Sequence, residues 1–143
     1  GTEKHVSDFK KRYENIKNIS VLGWKLHTVI PMFLRAADLL VIPNSAKEDI
    51  SRLYTSPMKL FEYMASGTPI IASDLPSIRE ILNDSMSYFF ISDDPKDLAQ
   101  VINKALKESE EAKVRAGRAL DKVVDYSWDN RARSIIQFAS RAI

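Results

Sequence analysis

Apolar positions along the chain alternate between helical spacing and short continuous runs. Val6, Phe9 and Tyr13 recur at helical spacing, which predicts an amphipathic helix over about residues 4–15. Four apolar runs bounded by Gly, Pro, Asn or Ser predict strands, and they lie at about 19–24, 38–44, 69–73 and 87–92. The polar stretch at about 44–55 predicts a loop.

Helical stretches separate the predicted strands. Pro31 suits the first turn of a helix that reaches about Ala37. In the next helix Ser56 suits the N-cap, Pro57 the first helical residue and Gly67 a left-handed end. A short helix is predicted over about 75–82, where Ser77 and Glu80 have the spacing of a capping box.

The last third of the sequence predicts three helices. Asp94 caps the first of them and Pro95 opens it, and its apolar stripe comprises Leu98, Val101, Ile102, Ala105 and Leu106. A charged helix follows at about 109–124. Ser127 caps a final helix whose apolar face comprises Trp128, Ala132, Ile135, Ile136 and Ala139.

The order of these elements indicates the fold class. Strands and helices alternate, and the strands are apolar along their length, as in sheets that helices cover on both faces. We therefore predict an α/β fold with a Rossmann-like, doubly wound parallel sheet, formed by residues 1–143 as one domain.

Composition narrows the class of partner. The chain has 21 basic and 19 acidic residues, a net charge of +2 that favours neither nucleic acid nor an anionic membrane surface. It has no cysteine, which excludes disulfides and thiol catalysis and fits a reducing compartment. His5 and His27 are isolated in the sequence, so we predict surface positions and no metal site. No apolar run reaches the length of a transmembrane span.

The stretch at 56–67 carries the clearest chemistry. A helix start presents unpaired N–H groups and about half a positive charge, which suits phosphate. Met58 and Lys59 would supply those amides, with Leu60 as a further candidate, and Glu62 lies one turn on from Met58 on the same side of the helix. This pairing predicts a holder for a nucleoside diphosphate, with the carboxylate accepting from a ribose diol. An ion pair between Lys59 and Glu62 is the alternative.

Several segments together resemble one family. The string SPMKLFEYMASGTPIIASDLPSIREIL closely resembles the donor-binding signature of retaining glycosyltransferases of the GT-B fold, the glycosyl transferases group 1 (family 4) type. The flanking segments ISVLGW, FLRAADLLVIPNS and YSWDNRARSIIQF are similar to family segments in the same order.

The resemblance implies a place within a larger enzyme. GT-B enzymes have two Rossmann-like domains, and this chain is similar to the C-terminal, nucleotide-sugar-binding one, without the N-terminal acceptor domain. The family's first two strand–helix units, which carry a Gly-Arg and a Lys-Gly for the diphosphate, are missing as well. In the family order 3-2-1-4-5-6 these are central strands. We therefore expect an incomplete sheet with rearranged packing, or a partner in the gap, including self-association.

The resemblance also implies residue roles. Glu62 matches the second acid of the family's Glu-x7-Glu motif, which holds the ribose diol, and Met58 and Lys59 match the amides that meet the diphosphate. Gly23 and Trp24 match the turn beside the nucleobase, where Trp24 would either stack on the base or pack at the sheet edge.

At the first acid of that motif the chain departs from the family. The position is occupied by Tyr54, so the contact to the donor sugar is open, and a hydroxyl of Ser56 or Tyr54 is our hypothesis. The catalytic residues are unknown. Further polar residues are expected to cap, pair or face solvent, namely Asp38, Asp74, Arg79, Glu80, Arg131, Arg133 and Arg141.

The resemblance implies a hexosyl transfer with retention, in polysaccharide biosynthesis. A nucleoside diphosphate sugar would be the donor, with no other cofactor, and the fragment alone would be inactive. The enzyme would be cytoplasmic, at the inner face of the membrane when full-length. One alternative is a flavodoxin- or receiver-like binding module, although Asn44, Ser73 and Asp74 fit a receiver's acidic strand ends poorly. Another is a GT-B enzyme such as a sugar-nucleotide epimerase.

Overall fold

The computed structural model describes residues 2–55 and 57–141, and the chain divides into two compact units, Gly1–Ile30 and Pro31–Ile143. In the first unit, helix α1 (Glu3–Tyr13) confirms the predicted N-terminal helix. The Thr2 hydroxyl caps it by accepting from the backbone N–H of His5 at 3.4 Å. The rings of Phe9 and Tyr13 lie 4.6 Å apart on one side of the helix.

The predicted strand at 19–24 is wrong. The backbone there forms no strand, and the Ile19 N–H donates to the Ile16 carbonyl in a turn. Leu22 is 54% exposed and Trp24 81% exposed. A strand needs a neighbour for its backbone groups, and the three strands in the described residues pair with one another only. The turn at Gly23 does form, with φ at 70°.

The second unit contains a three-stranded parallel sheet in the order β1-β2-β3. The strands are β1 (Leu40–Ile42), β2 (Ile70–Ser73) and β3 (Tyr88–Phe90), which confirms three of the four predicted strands. Leu40 pairs with Ile70 and Ile71 with Tyr88. This is the succession expected for the last three strands of the family order.

The helices lie close to their predicted positions. A single 3-10 turn (His27–Val29) precedes α2 (Ile30–Ala36), whose first turn contains Pro31. The other helices are α3 (Met58–Ser66), α4 (Pro76–Arg79), α5 (Pro95–Lys107), α6 (Ser109–Val123) and α7 (Trp128–Arg141). The predicted loop at 44–55 contains a π-helical turn (Ile50–Tyr54), which the Thr55 hydroxyl closes by donating to the Ile50 carbonyl at 2.7 Å.

Helices cover both faces of the sheet, as predicted. On one face Ile70 and Ala72 pack with Leu60 and Met64 of α3 and with Ile78 of α4. On the other face the buried cluster is Ile71, Tyr88, Phe90, Ala105 and Ala112, against which Leu98, Val101 and Ile102 of α5 are partly buried. The alternation of side chains along each strand sends neighbours to opposite faces, which is why a continuous apolar run is needed here.

Helix α6 lies beside β3 and contributes to both clusters, through Ala112 on one side and Ala119 on the other. Its Arg115 donates to the Ser87 carbonyl at 3.0 Å, and the guanidinium lies 4.2 Å from the Tyr88 ring centroid. The hydrogen bond satisfies the carbonyl of Ser87, the residue that precedes β3.

The predicted capping box of α4 is wrong. The N-cap residue is Leu75, and no side chain caps the helix. The Ser77 hydroxyl is buried and instead donates to the Ser51 carbonyl at 3.0 Å. The Ser77 hydroxyl bonds the Ser51 carbonyl and not the helix amides. Ser77 is buried, and a buried hydroxyl without a hydrogen-bond partner would be costly.

Two predicted apolar faces are less buried than expected. Leu106, the last residue of the α5 stripe, is 51% exposed. The Ser127 hydroxyl caps α7 as predicted, by accepting from the Asn130 N–H at 3.3 Å. Yet Trp128 is 74% and Ile135 60% exposed, and none of the described residues of α7 is buried. The predicted packing of Trp128 is therefore wrong.

A guanidinium holds the end of α4 against the sheet. Arg79 donates to both carboxylate oxygens of Asp74 at 2.7 and 3.0 Å and to Asp84 at 2.7 Å, and it lies 3.5 Å from the centroid of the Phe89 ring. The hydrogen bond from Arg79 holds the pKa of Asp74 below its ordinary value, against a smaller opposing effect of burial. Arg79 is thus paired and not simply solvated, and Asp74 pairs as predicted.

Asp74→Asn should lower the free energy of unfolding by about 0.5–1 kcal/mol at pH 7, because the pair is half exposed. The folded-state pKa is depressed, so the stabilisation is complete above the unfolded pKa near 4 and is lost as pH falls through the folded-state pKa. Urea unfolding of both proteins between pH 7 and pH 2.5 should show the difference shrinking below about pH 4. Asp121→Asn, at an exposed position of α6, is the control. A difference independent of pH would contradict the assignment.

Two glycines should respond oppositely to the same substitution. Gly67 ends α3 with φ at 70°, so Gly67→Ala should destabilise by about 1 kcal/mol. Gly117 lies inside α6, and beyond the local helix backbone no atom lies within 4 Å of an added Cβ. Gly117→Ala should therefore raise the free energy of unfolding by about 0.5–1 kcal/mol. Thermal unfolding of both variants measures this. Equal shifts of the same sign would show that backbone conformation is not the cause.

Candidate functional site

Helix α3 begins at the edge of the sheet where the strands end. It connects the parallel neighbours β1 and β2, so its first turn lies beyond the carboxyl end of β1. We define the rim as residues 43–55, 74–75 and 91–94, which follow the three strands at this edge. Ligands of open α/β sheets bind at this edge, which makes the start of α3 the candidate site.

The first turn of α3 differs by one residue from the prediction. Pro57 is the N-cap residue, with extended backbone (φ −70°, ψ 129°), and the helix begins at Met58. The Leu60 N–H donates to the Pro57 carbonyl at 2.9 Å, so the prediction of Leu60 as a further donor to a ligand is wrong. The amides of Met58 and Lys59 precede it and, by helix geometry, have no acceptor within the helix. Ser56, the predicted N-cap, lies outside the described residues.

Burial of the opposite face orients this helix. Leu60 and Met64 are fully buried against the sheet, and Gly67 ends the helix. Met58 is 62% exposed, Lys59 is exposed and Glu62 is half-buried. Met58 and Glu62 are one turn apart on the same side, as predicted. The exposed side chains of Met58 and Lys59 therefore lie at the positive end of the helix dipole.

The carboxylate of Glu62 acts on its neighbour. The pKa of the Tyr63 phenol is raised, first by burial and second by the negative charge of Glu62. The role of Glu62 at a ribose stays a prediction.

A groove of about 430 Å³ begins beside Met58. Its lining comprises Met58, Phe61, Asp125, Tyr126, Trp128, Arg131 and Ser134. The rings of Phe61 and Tyr126 are 5.2 Å apart, and the Arg131 guanidinium lies 5.9 Å from the Trp128 ring. The sequence pattern did not predict this groove, although Tyr126 and Trp128, around the start of α7, were the available signal. Glu62 is not among the described residues that line it.

Side chains tie the rim together. The Ser77 hydroxyl holds the Ser51 carbonyl, and the Asp93 carboxylate accepts from the Ala46 N–H at 2.9 Å and from the Ser45 hydroxyl at 3.1 Å. Asp93 was missed because the neighbouring Asp94 explained the start of α5. The Asp-Asp-Pro sequence offered a signal, since two acids before Pro95 exceed what one cap requires.

Other predicted residues are placed as follows. Tyr54 ends the π-helical turn and is 78% exposed. Trp24 belongs to the first unit with Gly23, and its exposure contradicts packing at a sheet edge. His5 and His27 are exposed, as predicted.

Metal binding and membrane crossing each require a recognisable group of residues. Within residues 2–55 and 57–141, no three His, Asp or Glu side chains are grouped to hold a metal ion. Among the helices described, none is long and apolar enough to cross a bilayer.

Curated relatives are similar in sequence. The chain is 32% identical over 114 residues to the phosphatidyl-myo-inositol mannosyltransferase of Mycobacterium tuberculosis and to that of Mycobacterium bovis. The aligned part is 73% of this chain and 27% of each relative, so the chain spans about a quarter of their length.

Solved structures share the fold. Sucrose-phosphate synthase from Thermosynechococcus elongatus superposes with a TM-score of 0.77 at 19% identity, over 97% of this chain and 34% of that one. Alr3699/HepE from Anabaena, in complex with UDP, gives a TM-score of 0.75 at 18% identity, over 96% of this chain and 36% of that one.

The family model described as "Glycosyl transferases group 1" matches residues 1–108. That range contains the whole sheet, helix α3 and the rim. The chain belongs to the glycosyl transferases group 1 family.

Proposed function

We propose that this chain is the donor-binding part of a retaining glycosyltransferase that moves a hexosyl group from a nucleoside diphosphate sugar to an acceptor. The observation that carries the proposal is the start of α3. The amides of Met58 and Lys59 have no acceptor within the helix, and the half-buried carboxylate of Glu62 lies one turn further on. Both features lie at the carboxyl ends of the strands.

The diphosphate would bind at the amides of Met58 and Lys59. These N–H groups and the helix dipole favour an anion without needing a particular side chain. The exposed Lys59 ammonium adds a mobile positive charge at the same turn. The overall charge of +2 is small, so the attraction is local and does not come from the field of the whole chain.

The ribose would bind at Glu62. A carboxylate accepts hydrogen bonds from two hydroxyls at once, which matches the 2′,3′-diol of a nucleotide. Its distance of one turn from the amides suits a diphosphate and ribose held together. A hydroxyl of Tyr54 or Ser56 would meet the donor sugar. The roles of Gly23 and Trp24 beside the base stay predictions from the resemblance.

In the transfer step, the bond between the anomeric carbon and the diphosphate oxygen breaks, the acceptor oxygen bonds to that carbon, and the acceptor proton passes to the departing diphosphate. Negative charge develops on the leaving diphosphate. The amides of α3 and Lys59 would stabilise that charge without reorganising, and such electrostatic stabilisation is commonly the largest contribution to catalysis.

The similar proteins support this chemistry. Alr3699/HepE has been solved with UDP and with UDP-glucose, and the curated relatives are mannosyltransferases by name. The chain spans about a quarter of those relatives, so we propose that the acceptor domain is a separate requirement and that the chain alone does not transfer sugar.

We further propose a cytoplasmic enzyme of polysaccharide biosynthesis that works at the inner face of the membrane. The cysteine-free composition fits a reducing compartment. Phosphatidyl-myo-inositol, after which the similar mannosyltransferases are named, is a phospholipid, and an acceptor of this kind would bring the full-length protein to a membrane surface.

Calorimetric titration tests the proposed ligand class. UDP, GDP and inorganic pyrophosphate should be compared at equal ionic strength. We expect at least one nucleotide to bind tenfold or more tightly than pyrophosphate, because Glu62 adds about 1–3 kcal/mol of charge-assisted hydrogen bonding. Equal, weak binding of all three anions would instead indicate a general anion-binding module.

Glu62→Ala and Glu62→Gln should both weaken nucleotide binding by about 1–3 kcal/mol and leave pyrophosphate binding unchanged. Glu110→Gln, at an exposed acid of α6 paired with Lys113, is the matched control. Thermal unfolding should accompany each titration. A large fall in melting temperature with unchanged affinity would make Glu62 a structural residue and not a ligand contact.

A further inference from the structure

The turn after β3 has an unusual backbone at Asp93. The Asp94 N–H donates to the Ile91 carbonyl at 3.1 Å and closes a four-residue turn. Asp93, third in this turn, has a φ of 64°, and it is the only non-glycine residue with positive φ in the described part of the chain. This conformation favours Gly or Asn, and an aspartate there costs about 1 kcal/mol unless its side chain compensates.

The side chain of Asp93 reaches the loop that follows β1. Its Oδ2 accepts from the Ala46 N–H at 2.9 Å and from the Ser45 hydroxyl at 3.1 Å, and the Ser45 Oγ accepts in turn from the Lys47 N–H at 3.2 Å. The bond from the Ala46 amide is the first cause of the lowered pKa of Asp93. One carboxylate thus fixes three successive residues at the beginning of a long loop.

Two neighbouring contacts reinforce this tie. The Ser92 hydroxyl donates to the Asn44 carbonyl at 2.8 Å, which joins the same two segments. The Asp97 carboxylate accepts from the Ile91 N–H at 2.6 Å, so helix α5 holds the base of the turn. Asp93 therefore projects from a rigid support, and its left-handed backbone aims the carboxylate across to the loop.

The tied loop leads directly to the candidate site. It continues through the π-helical turn Ile50–Tyr54 to Pro57 and the first amides of α3. A second tie joins the Ser77 hydroxyl to the Ser51 carbonyl, which lies along the chain between Ala46 and the start of α3. The loop has no pairing with a strand, so these side chains take the place of a sheet in defining its path.

We propose that Asp93 is a positioning residue for nucleotide binding, acting through residues 44–55 on the approach to α3 without touching the ligand. The inference rests on the proposed function. In this arrangement the strain at Asp93 is retained because the aimed carboxylate keeps the loop in its binding geometry before ligand arrives, which lowers the ordering cost of binding.

The test uses two variants of the 143-residue chain. Asp93→Gly keeps the left-handed turn and removes the carboxylate, while Asp93→Asn keeps the turn and one acceptor oxygen. Amide hydrogen exchange of the free protein should show residues 44–55 exchanging about tenfold faster in Asp93→Gly, with α5 and α6 unchanged. The Kd for the nucleotide selected by the wild-type titration should rise about three- to tenfold in Asp93→Gly and less than threefold in Asp93→Asn.

Controls separate the outcomes. Asp121→Asn should change neither measurement, and the melting temperature of Asp93→Gly should stay close to wild type because relief of strain offsets the lost bonds. Unchanged exchange in residues 44–55 would overturn the tie itself. Faster exchange with unchanged Kd would overturn the positioning role. If the wild-type chain binds no nucleotide, the proposed function and this positioning role are both overturned. The exchange data would then still test whether Asp93 fixes residues 44–55.

Discussion

The candidate site depends on the burial of one face of α3. Leu60 and Met64 have no exposed surface, and each contributes about 1.5–3 kcal/mol by leaving water. This packing sets the rotation of a nine-residue helix, so that Met58 and Glu62 necessarily face away from the sheet. The chemistry of the site is thus a consequence of a core contact. A helix free to roll would present the same residues without a defined relation between amide and carboxylate.

Polar side chains at the rim hold loops that have no ladder of backbone hydrogen bonds. Buried or strained positions there are satisfied by directed contacts: Ser77 with Ser51, and Asp93 with Ala46. Each contact joins two segments that follow different strands. Loops that carry a binding site need such ties because they have no ladder of backbone hydrogen bonds to hold their path.

Periodicity predicted packing for two segments that do not pack in the structure. The apolar run at 19–24 needs a strand beside it, and the face of α7 that contains Trp128 and Ile135 needs a surface to cover it. A pattern of apolar residues shows that a segment is suited to burial. It does not supply the partner, because burial is a property of two surfaces.

The sequence by itself determined the positions of the helices and of three strands, the parallel sheet with helices on both faces, and the caps at Gly67, Asp94 and Ser127. Those features follow from spacing, turn chemistry and local hydrogen bonds. It also indicated α3 as the candidate site, because a helix start and an acid one turn later are neighbours in sequence. Tertiary structure alone decided that Ser77 bonds Ser51 and that Asp93 bonds Ala46, whose partners lie 26 and 47 residues away. No local pattern encodes such contacts, since they exist only once packing has brought the strand ends together.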